Sequence, residues 1–149
     1  MIEVFEGRCQ CGQITYRIVG ESKALFVCHC KECQRQSASA FGMALWVVPT
    51  NVEVVGILKD WVRDTPSGNK MICQFCPECG TRIFHRQTGQ DDLISIKPGT
   101  LNNTKGLCPI AHIWCDSAQP WVDLDEQRLI YPANPPDIQE LFDAWQNSR

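Results

Sequence analysis

Hydrophobic and polar residues alternate in short stretches along most of this chain, a pattern typical of β-strands. Residues 3–19 predict two short strands around a tight turn, and residues 25–28 predict an apolar extended segment. Residues 41–48 are strongly apolar and predict a buried strand. Further strands are predicted at residues 52–56, 71–75, 81–85, 92–97 and 110–116. The pattern therefore indicates a mainly β fold.

Two short helices interrupt these strands. The first is predicted at residues 31–40, a segment rich in Gln, Ser and Ala. The second lies near the C-terminus, where apolar residues recur at helical spacing: Ile138, Leu141, Phe142 and Trp145. Asn134 is expected to cap that helix, with Pro135 in its first turn. Residues 20–24 are turn-like and 64–69 predict a loop, whereas residues 58–63 give no clear pattern.

Length and composition fit one soluble domain spanning residues 1–149. The hydrophobic content of 44% is enough for a core. The formal net charge is −3 and no long basic run occurs, so electrostatics gives no support for nucleic-acid binding. The N-terminal residues lack the features of a signal peptide, and no stretch is long enough to span a bilayer. We therefore expect a cytoplasmic protein.

The ten cysteines in 149 residues require a chemical explanation. They fall in C-x-C and C-x-x-C pairs, which make poor disulfide staples but natural metal clips. Soft thiolates favour zinc over the cations that prefer oxygen ligands. The spacing therefore predicts zinc sites rather than a disulfide framework.

The central run, Cys28-His29-Cys30-Lys31-Glu32-Cys33, contains three thiols in six positions. Side chains two apart on an extended strand point to the same face, so Cys28 and Cys30 can converge. A turn after Cys30 would bring Cys33 back towards both. Three protein ligands with an open position is the pattern of a reactive zinc site.

A second group of thiols is expected to form a closed site. Cys76-Pro77-Glu78-Cys79-Gly80 is a C-x-x-C-G knuckle that lacks two ligands, and Cys9-x-Cys11-Gly12 lacks two as well. Together they supply four thiolates for a structural zinc, which would stabilise the fold. Cys73-x-x-Cys76 has the same spacing and is an alternative pair. Cys73, Cys108 and Cys115 are otherwise interpreted as small core residues.

The sequence leaves open whether the three-thiol run gains a fourth protein ligand. The candidates are His29, His85, His112 and Cys73. A fourth ligand would make the second site a closed structural one, and its absence would favour chemistry.

Three motifs, taken in order, resemble the glutathione-dependent formaldehyde-activating enzyme family, which includes the centromere protein V-like proteins. They are GRCQCGQITY at residues 7–16, CHCKEC at residues 28–33 and FCPECGT at residues 75–81. Residues 109–114 and the Pro120-Trp121 pair look like a later motif of the family. The resemblance covers about residues 5–122.

The resemblance implies an Mss4-like fold of short antiparallel sheets with zinc-binding knuckles. It also implies a structural zinc on four cysteines and a more labile zinc on the other three: Cys9, Cys11, Cys76 and Cys79, then Cys28, Cys30 and Cys33. The family often has Arg and Gly where this chain has Gln34 and Ala38, while Arg35 is kept. This departure bears on substrate contacts more than on zinc.

A zinc held by three thiolates is a weak activator of water but suits the binding of a fourth, substrate thiolate. We therefore expect a carbon–sulfur lyase that acts on a thiol adduct such as S-hydroxymethyl-glutathione, with Cys28, Cys30 and Cys33 as the catalytic site. Lys31 and Arg35 are candidates to pair with substrate carboxylates. The alternatives are a non-catalytic zinc module for protein interaction or metal storage, and a thiol redox sensor.

The expected partner is accordingly a small-molecule thiol or thiol adduct, with glutathione as the substrate thiol. No nucleic acid and no membrane is expected to bind. A homodimer is left open.

Overall fold

The computed structural model describes residues 2–149, and the described chain is mostly β, as the hydrophobic pattern predicts. Two α-helices accompany the strands: α1 at Lys31–Ser37 and α2 at Gln139–Asn147. The strands, in chain order, are β1 Glu3–Arg8, β2 Thr15–Gly20, β3 Ser22–Cys28, β4 Gly42–Val47, β5 Val52–Val55, β6 Lys59–Asp64, β7 Lys70–Phe75, β8 Arg82–Gln87, β9 Ile94–Ile96, β10 Ala111–Ile113 and β11 Leu129–Ile130.

The chain divides into two compact units, and the first contains the described residues up to 22 together with residues 46–106. In this unit β1, β2 and β5 form an antiparallel sheet in that order. Strands β6 to β9 form an antiparallel meander. The buried apolar side chains of the unit include Ile14, Ile18, Ile83, Phe84 and Ile96. In β2 buried and exposed positions alternate, so one face of that strand lies on the core, whereas β8 buries three consecutive residues, Ile83, Phe84 and His85.

The second unit contains residues 23–45 and 107–149. Its strands run in the order β11, β10, β3, β4. Strand β10 pairs in parallel with both β3 and β11, an arrangement that the expectation of antiparallel sheets did not include. Helix α2 buries Leu141 and Trp145, which lie four residues apart on one face. Of the other two apolar positions seen in the sequence, Phe142 is partly buried, whereas Ile138 is exposed and precedes the helix.

The strand boundaries differ from the predictions at three places. Residues 20–24 do not form a turn throughout, because β3 already begins at Ser22. The Ser22 backbone N–H and hydroxyl both donate to the Glu3 carboxylate, at 2.8 and 2.6 Å. Residues 59–64, which gave no clear pattern, form β6 along β7. The strand predicted at residues 110–116 ends at Ile113, because Trp114 adopts a left-handed conformation with φ 57°.

Both helices are shorter than predicted. Helix α1 ends at Ser37 because Ala38 is left-handed, with φ 50°. Helix α2 begins at Gln139, and Asn134 is not its cap. The Asn134 side-chain oxygen instead accepts a hydrogen bond from the Trp114 indole N–H at 2.8 Å. Among the described residues, no helix is long and apolar enough to cross a membrane.

Candidate metal centres

The first unit brings together the four cysteines predicted to form a closed site. Cys9 and Cys11 follow β1, and Cys76 and Cys79 lie in the turn between β7 and β8. All four Sγ atoms lie within 4.8 Å of one another. The Cys9–Cys11 and Cys11–Cys76 sulfurs are 3.5 and 3.7 Å apart. Sulfurs at about 2.3 Å from a tetrahedral zinc would be separated by about 3.8 Å, so this group fits a zinc ion.

Two similar turns hold these sulfurs. The Cys9 N–H donates to the Ile14 carbonyl, and the Cys76 N–H donates to the Thr81 carbonyl, each at 3.0 Å. Each turn also contains a left-handed glycine, at Gly12 with φ 83° and at Gly80 with φ 77°. Glycine adopts this conformation without steric cost, which explains its place directly after Cys11 and Cys79.

Hydrogen bonds from the protein polarise the sulfurs of this closed group. The Ile14 N–H donates to Cys9 Sγ at 3.2 Å. The Thr81 hydroxyl, 3.2 Å from Cys79 Sγ, lowers the pKa of the Cys79 thiol to about 5. Thiolates are the form that binds metal, so these hydrogen bonds favour the form of the sulfurs that binds a cation.

The second unit brings together the three thiols of the central run. Cys28 ends β3, Cys30 is the N-cap of α1, and Cys33 lies in the first turn of that helix. Their Sγ atoms lie within 4.8 Å of one another. Over residues 2–149, no His, Cys, Asp or Glu adds a fourth ligand atom to this group. Seven of the ten cysteines thus form one group of four and one group of three.

The three thiols share their protons unequally. Hydrogen bonds from the neighbouring thiols of Cys28 and Cys33 lower the pKa of Cys30, and the Cys33 backbone N–H also donates to Cys30 Sγ at 3.3 Å. The same pairing raises the pKa of the Cys28 thiol. A soft divalent cation would replace these shared protons, so this donor set also fits zinc.

The histidine beside the central thiols lies in a different environment. The His29 side chain is fully buried, and its Nε2 lies 2.9 Å from Nδ1 of His112. The two rings stack with centroids 5.2 Å apart, and His29 meets the edge of Phe41. Neither histidine belongs to the three-thiol group.

The remaining two candidates for a fourth ligand pair with each other in the first unit. Cys73 is buried, and its Sγ lies 3.9 Å from Nδ1 of His85. Nε2 of His85 accepts a hydrogen bond from Arg82 at 3.2 Å. Cys73 is thus a core residue, as predicted. The group of four contains Cys76 with Cys79, and the alternative pairing of Cys76 with Cys73 is not found.

The other two cysteines differ from the expectation of small core residues. Cys108 is exposed, and Cys115 is partly exposed. The Arg128 guanidinium donates to Cys108 Sγ at 3.0 Å, a polar contact that an apolar core position would not provide. The interpretation of Cys108 as a core residue was therefore wrong.

Gln34 occupies a position that sequence reasoning noted only as a departure from the family. Its side chain is 7% exposed and lies directly after Cys33. Its amide donates to the carbonyls of His29, at 2.8 Å, and Ser117, at 3.0 Å. Its oxygen accepts from Lys31 Nζ at 3.5 Å and from Gln119 Nε2 at 3.3 Å. This glutamine therefore anchors the central run to the chain after β10.

The two residues predicted to contact substrate carboxylates are both exposed on α1. Lys31 lies beside Gln34, as described above. Arg35 forms an ion pair with Glu32 at 2.7 Å. Their role in substrate binding stays a prediction.

These observations define a class: a mostly β protein with two cysteine clusters able to bind metal. The model of the family described as "Glutathione-dependent formaldehyde-activating enzyme" matches residues 4–117, and the chain belongs to this family. The resemblance read from the cysteine motifs is thereby confirmed.

A solved structure supports the fold. The chain is similar to a crystal structure of a Rhodobacter sphaeroides protein, a structural genomics target, with a TM-score of 0.54 and 18% sequence identity. The match covers 68% of this chain and 91% of that one. A comparison with curated proteins found no match.

Proposed function

We propose that this chain is a zinc-dependent carbon–sulfur lyase that forms or cleaves a thiol–aldehyde adduct, with S-hydroxymethyl-glutathione as the leading substrate. The observation that carries the proposal is the three-thiol group without a fourth protein ligand atom among residues 2–149. Such a group leaves a coordination position for an incoming sulfur. The family's name supports the choice of glutathione and formaldehyde.

The reaction balances without any additional reagent. In the forward direction the thiol sulfur bonds to the formaldehyde carbon, the carbonyl π-bond breaks, and one proton passes from sulfur to oxygen. Zinc, when bound, would supply a site that keeps the substrate sulfur deprotonated at neutral pH. The chain's own contribution is to hold the three thiolates together and to orient the substrate.

The placement of Cys30 supports the proposed role of the three thiolates in holding the zinc. Its sulfur already accepts a backbone N–H, so the ligand is oriented before substrate arrives. Lys31 and Arg35 are proposed to pair with the carboxylates of glutathione. A cytoplasmic setting is consistent with ten cysteines that form no disulfide bond, because glutathione keeps thiols reduced there.

The proposal is tested by adding glutathione and formaldehyde to the zinc-loaded protein and following adduct formation by exchange NMR. We expect exchange faster than in buffer, and a rate equal to buffer for Cys30→Ser. No acceleration by the native chain with both sites loaded would discard the formaldehyde reaction. Acceleration that persists in Cys30→Ser would instead locate the reaction outside the three-thiol group.

A further inference from the structure

A chain of side-chain hydrogen bonds connects Gln34, the residue after Cys33, to an exposed aromatic residue. From Gln34 the connection continues through Gln119 Nε2 at 3.3 Å. The Gln119 side-chain oxygen in turn accepts the indole N–H of Trp121 at 2.7 Å. All of these residues belong to the second unit. The position of Trp121 is therefore tied to the cysteine run by two glutamine side chains.

The ring of Trp121 is exposed although its N–H is anchored. The residue is 73% exposed, the largest value among the exposed tryptophans. Trp145, in contrast, is buried against the core, and Trp114 is partly buried with its N–H on Asn134. An indole held in place by its polar edge, with its face open to solvent, is available to a ligand.

The cation of Lys31 belongs to the same hydrogen-bond network. Lys31 Nζ and Gln119 Nε2 both point at the oxygen of Gln34, at 3.5 and 3.3 Å. The side chains of Lys31 and Gln119 thus meet at the buried side chain of Gln34, and Gln119 in turn holds the indole of Trp121. A ligand with a sulfur, a peptide backbone and a carboxylate could meet all three features at once.

We propose that Trp121 is a specificity-determining residue that contacts the peptide portion of a cysteine-containing peptide thiol whose sulfur occupies the open position of the three-thiol group. This inference rests on the proposed function. Trp121 would select the substrate by the group attached to its sulfur, since the open position itself accepts any thiolate. 2-Mercaptoethanol carries the sulfur without a peptide group, so it lacks the portion that this proposal assigns to the indole.

The flat face of an indole suits this task. Peptide groups and short aliphatic chains pack on aromatic faces, and the rigid ring loses little conformational entropy when it does so. The bond to Gln119 fixes the ring before the ligand arrives, which lowers the cost of binding. The loss of the ring is therefore expected to weaken the binding of peptide thiols and to leave the binding of small thiols unchanged.

The experiment measures the dissociation constants of glutathione and of 2-mercaptoethanol for the full zinc-loaded chain by calorimetry, in the native protein, Trp121→Ala, Trp121→Phe and Trp61→Ala. We expect Trp121→Ala to raise the dissociation constant of glutathione about five-fold and that of 2-mercaptoethanol by less than about two-fold. Trp121→Phe, which keeps an aromatic face, is expected to recover most of the loss. Trp61 is a half-exposed tryptophan of the first unit and serves as the matched control.

The outcomes separate this inference from the proposed function. If Trp121→Ala weakens the binding of both thiols equally, the ring merely supports the site, and the inference is overturned. Unchanged glutathione binding in Trp121→Ala would overturn it as well, while the proposed function stands. If the native chain binds neither thiol, both proposals fail together.

Discussion

The backbone N–H of Cys33 donates to the sulfur of Cys30 at 3.3 Å, so Cys30 is at once a member of the three-thiol group and the N-cap of α1. Serine is among the preferred N-cap residues, because its hydroxyl oxygen accepts the same backbone hydrogen bond. A serine at this position therefore separates the two roles: it keeps the cap and removes the soft thiolate.

We predict that Cys30→Ser retains the fold and lowers the zinc content from two ions per chain to one. The helix keeps its cap, whereas Cys30→Ala would cost about 1 kcal/mol more through the lost cap. Metal analysis and thermal melts of the three proteins measure both effects. Two tightly bound zinc ions in Cys30→Ser would show that this sulfur is not a required ligand.

Cys76→Ser, unlike Cys30→Ser, is expected to destabilise the fold strongly. Cys76 is fully buried, and its sulfur lies 3.7 Å from that of Cys11, in a group that joins the end of β1 to the turn after β7. Because a structural zinc contributes on the order of 10 kcal/mol to small zinc domains, its loss should leave the chain largely unfolded at 25 °C.

Circular dichroism and a chelator titration check this prediction, with Cys30→Ser as the matched control. The two variants make the same chemical change in the two clusters. A thermal midpoint lower for Cys30→Ser than for Cys76→Ser would mean that the structural and reactive roles are exchanged.

The two clusters could be predicted from the sequence because the signal is local. A C-x-C or C-x-x-C pair brings two sulfurs together through its own turn, and the division into four and three then follows from counting ligands. The helical spacing of Leu141 and Trp145 identified α2 in the same local way. Its predicted cap was wrong because the partner of Asn134 is Trp114, which lies 20 residues away.

The neighbours of the three-thiol group could not be predicted in this way. Gln34 reaches Ser117 and Gln119, which are 83 and 85 residues away in sequence, and no local pattern indicates such contacts. Likewise the stacking of His29 on His112 depends on the parallel pairing of β3 with β10. The sequence therefore identified the two cysteine groups but not the residues that position them.

Ala38 provides a prediction about stability. It caps the C-terminus of α1 in the left-handed conformation, with φ 50°, where an L-residue with a Cβ pays about 1 kcal/mol that glycine avoids. We expect Ala38→Gly to raise the free energy of unfolding by up to about 1 kcal/mol, measured by urea denaturation. Ala40→Gly is the control: Ala40 is buried and has no positive φ, so this change should destabilise by about 0.5–1 kcal/mol. A loss of stability in Ala38→Gly would contradict the assignment of strain.

His85 provides a prediction about pH. Burial, together with the positive charges of Lys97, Arg82 and Arg63, lowers the pKa of His85 from 6.5 to about 2. In the native state the imidazole stays neutral and accepts a hydrogen bond from Arg82. Between pH 6.5 and pH 2 the unfolded chain therefore binds a proton at this residue that the folded chain does not. Stability from this source is complete above pH 6.5 and falls as the pH is lowered.

His85→Gln should remove this dependence, because the amide oxygen can still accept from Arg82 and does not titrate. We expect the difference in unfolding free energy between the native chain and His85→Gln to shift by about 1.3 kcal/mol in favour of the variant between pH 7 and pH 5.5. Urea unfolding at both pH values measures it. Protonation of metal-bound thiolates would also lower stability in acid, but it would affect both proteins equally and cancel in the difference. A difference that is independent of pH would mean that His85 accepts a proton as readily in the folded chain as in the unfolded one.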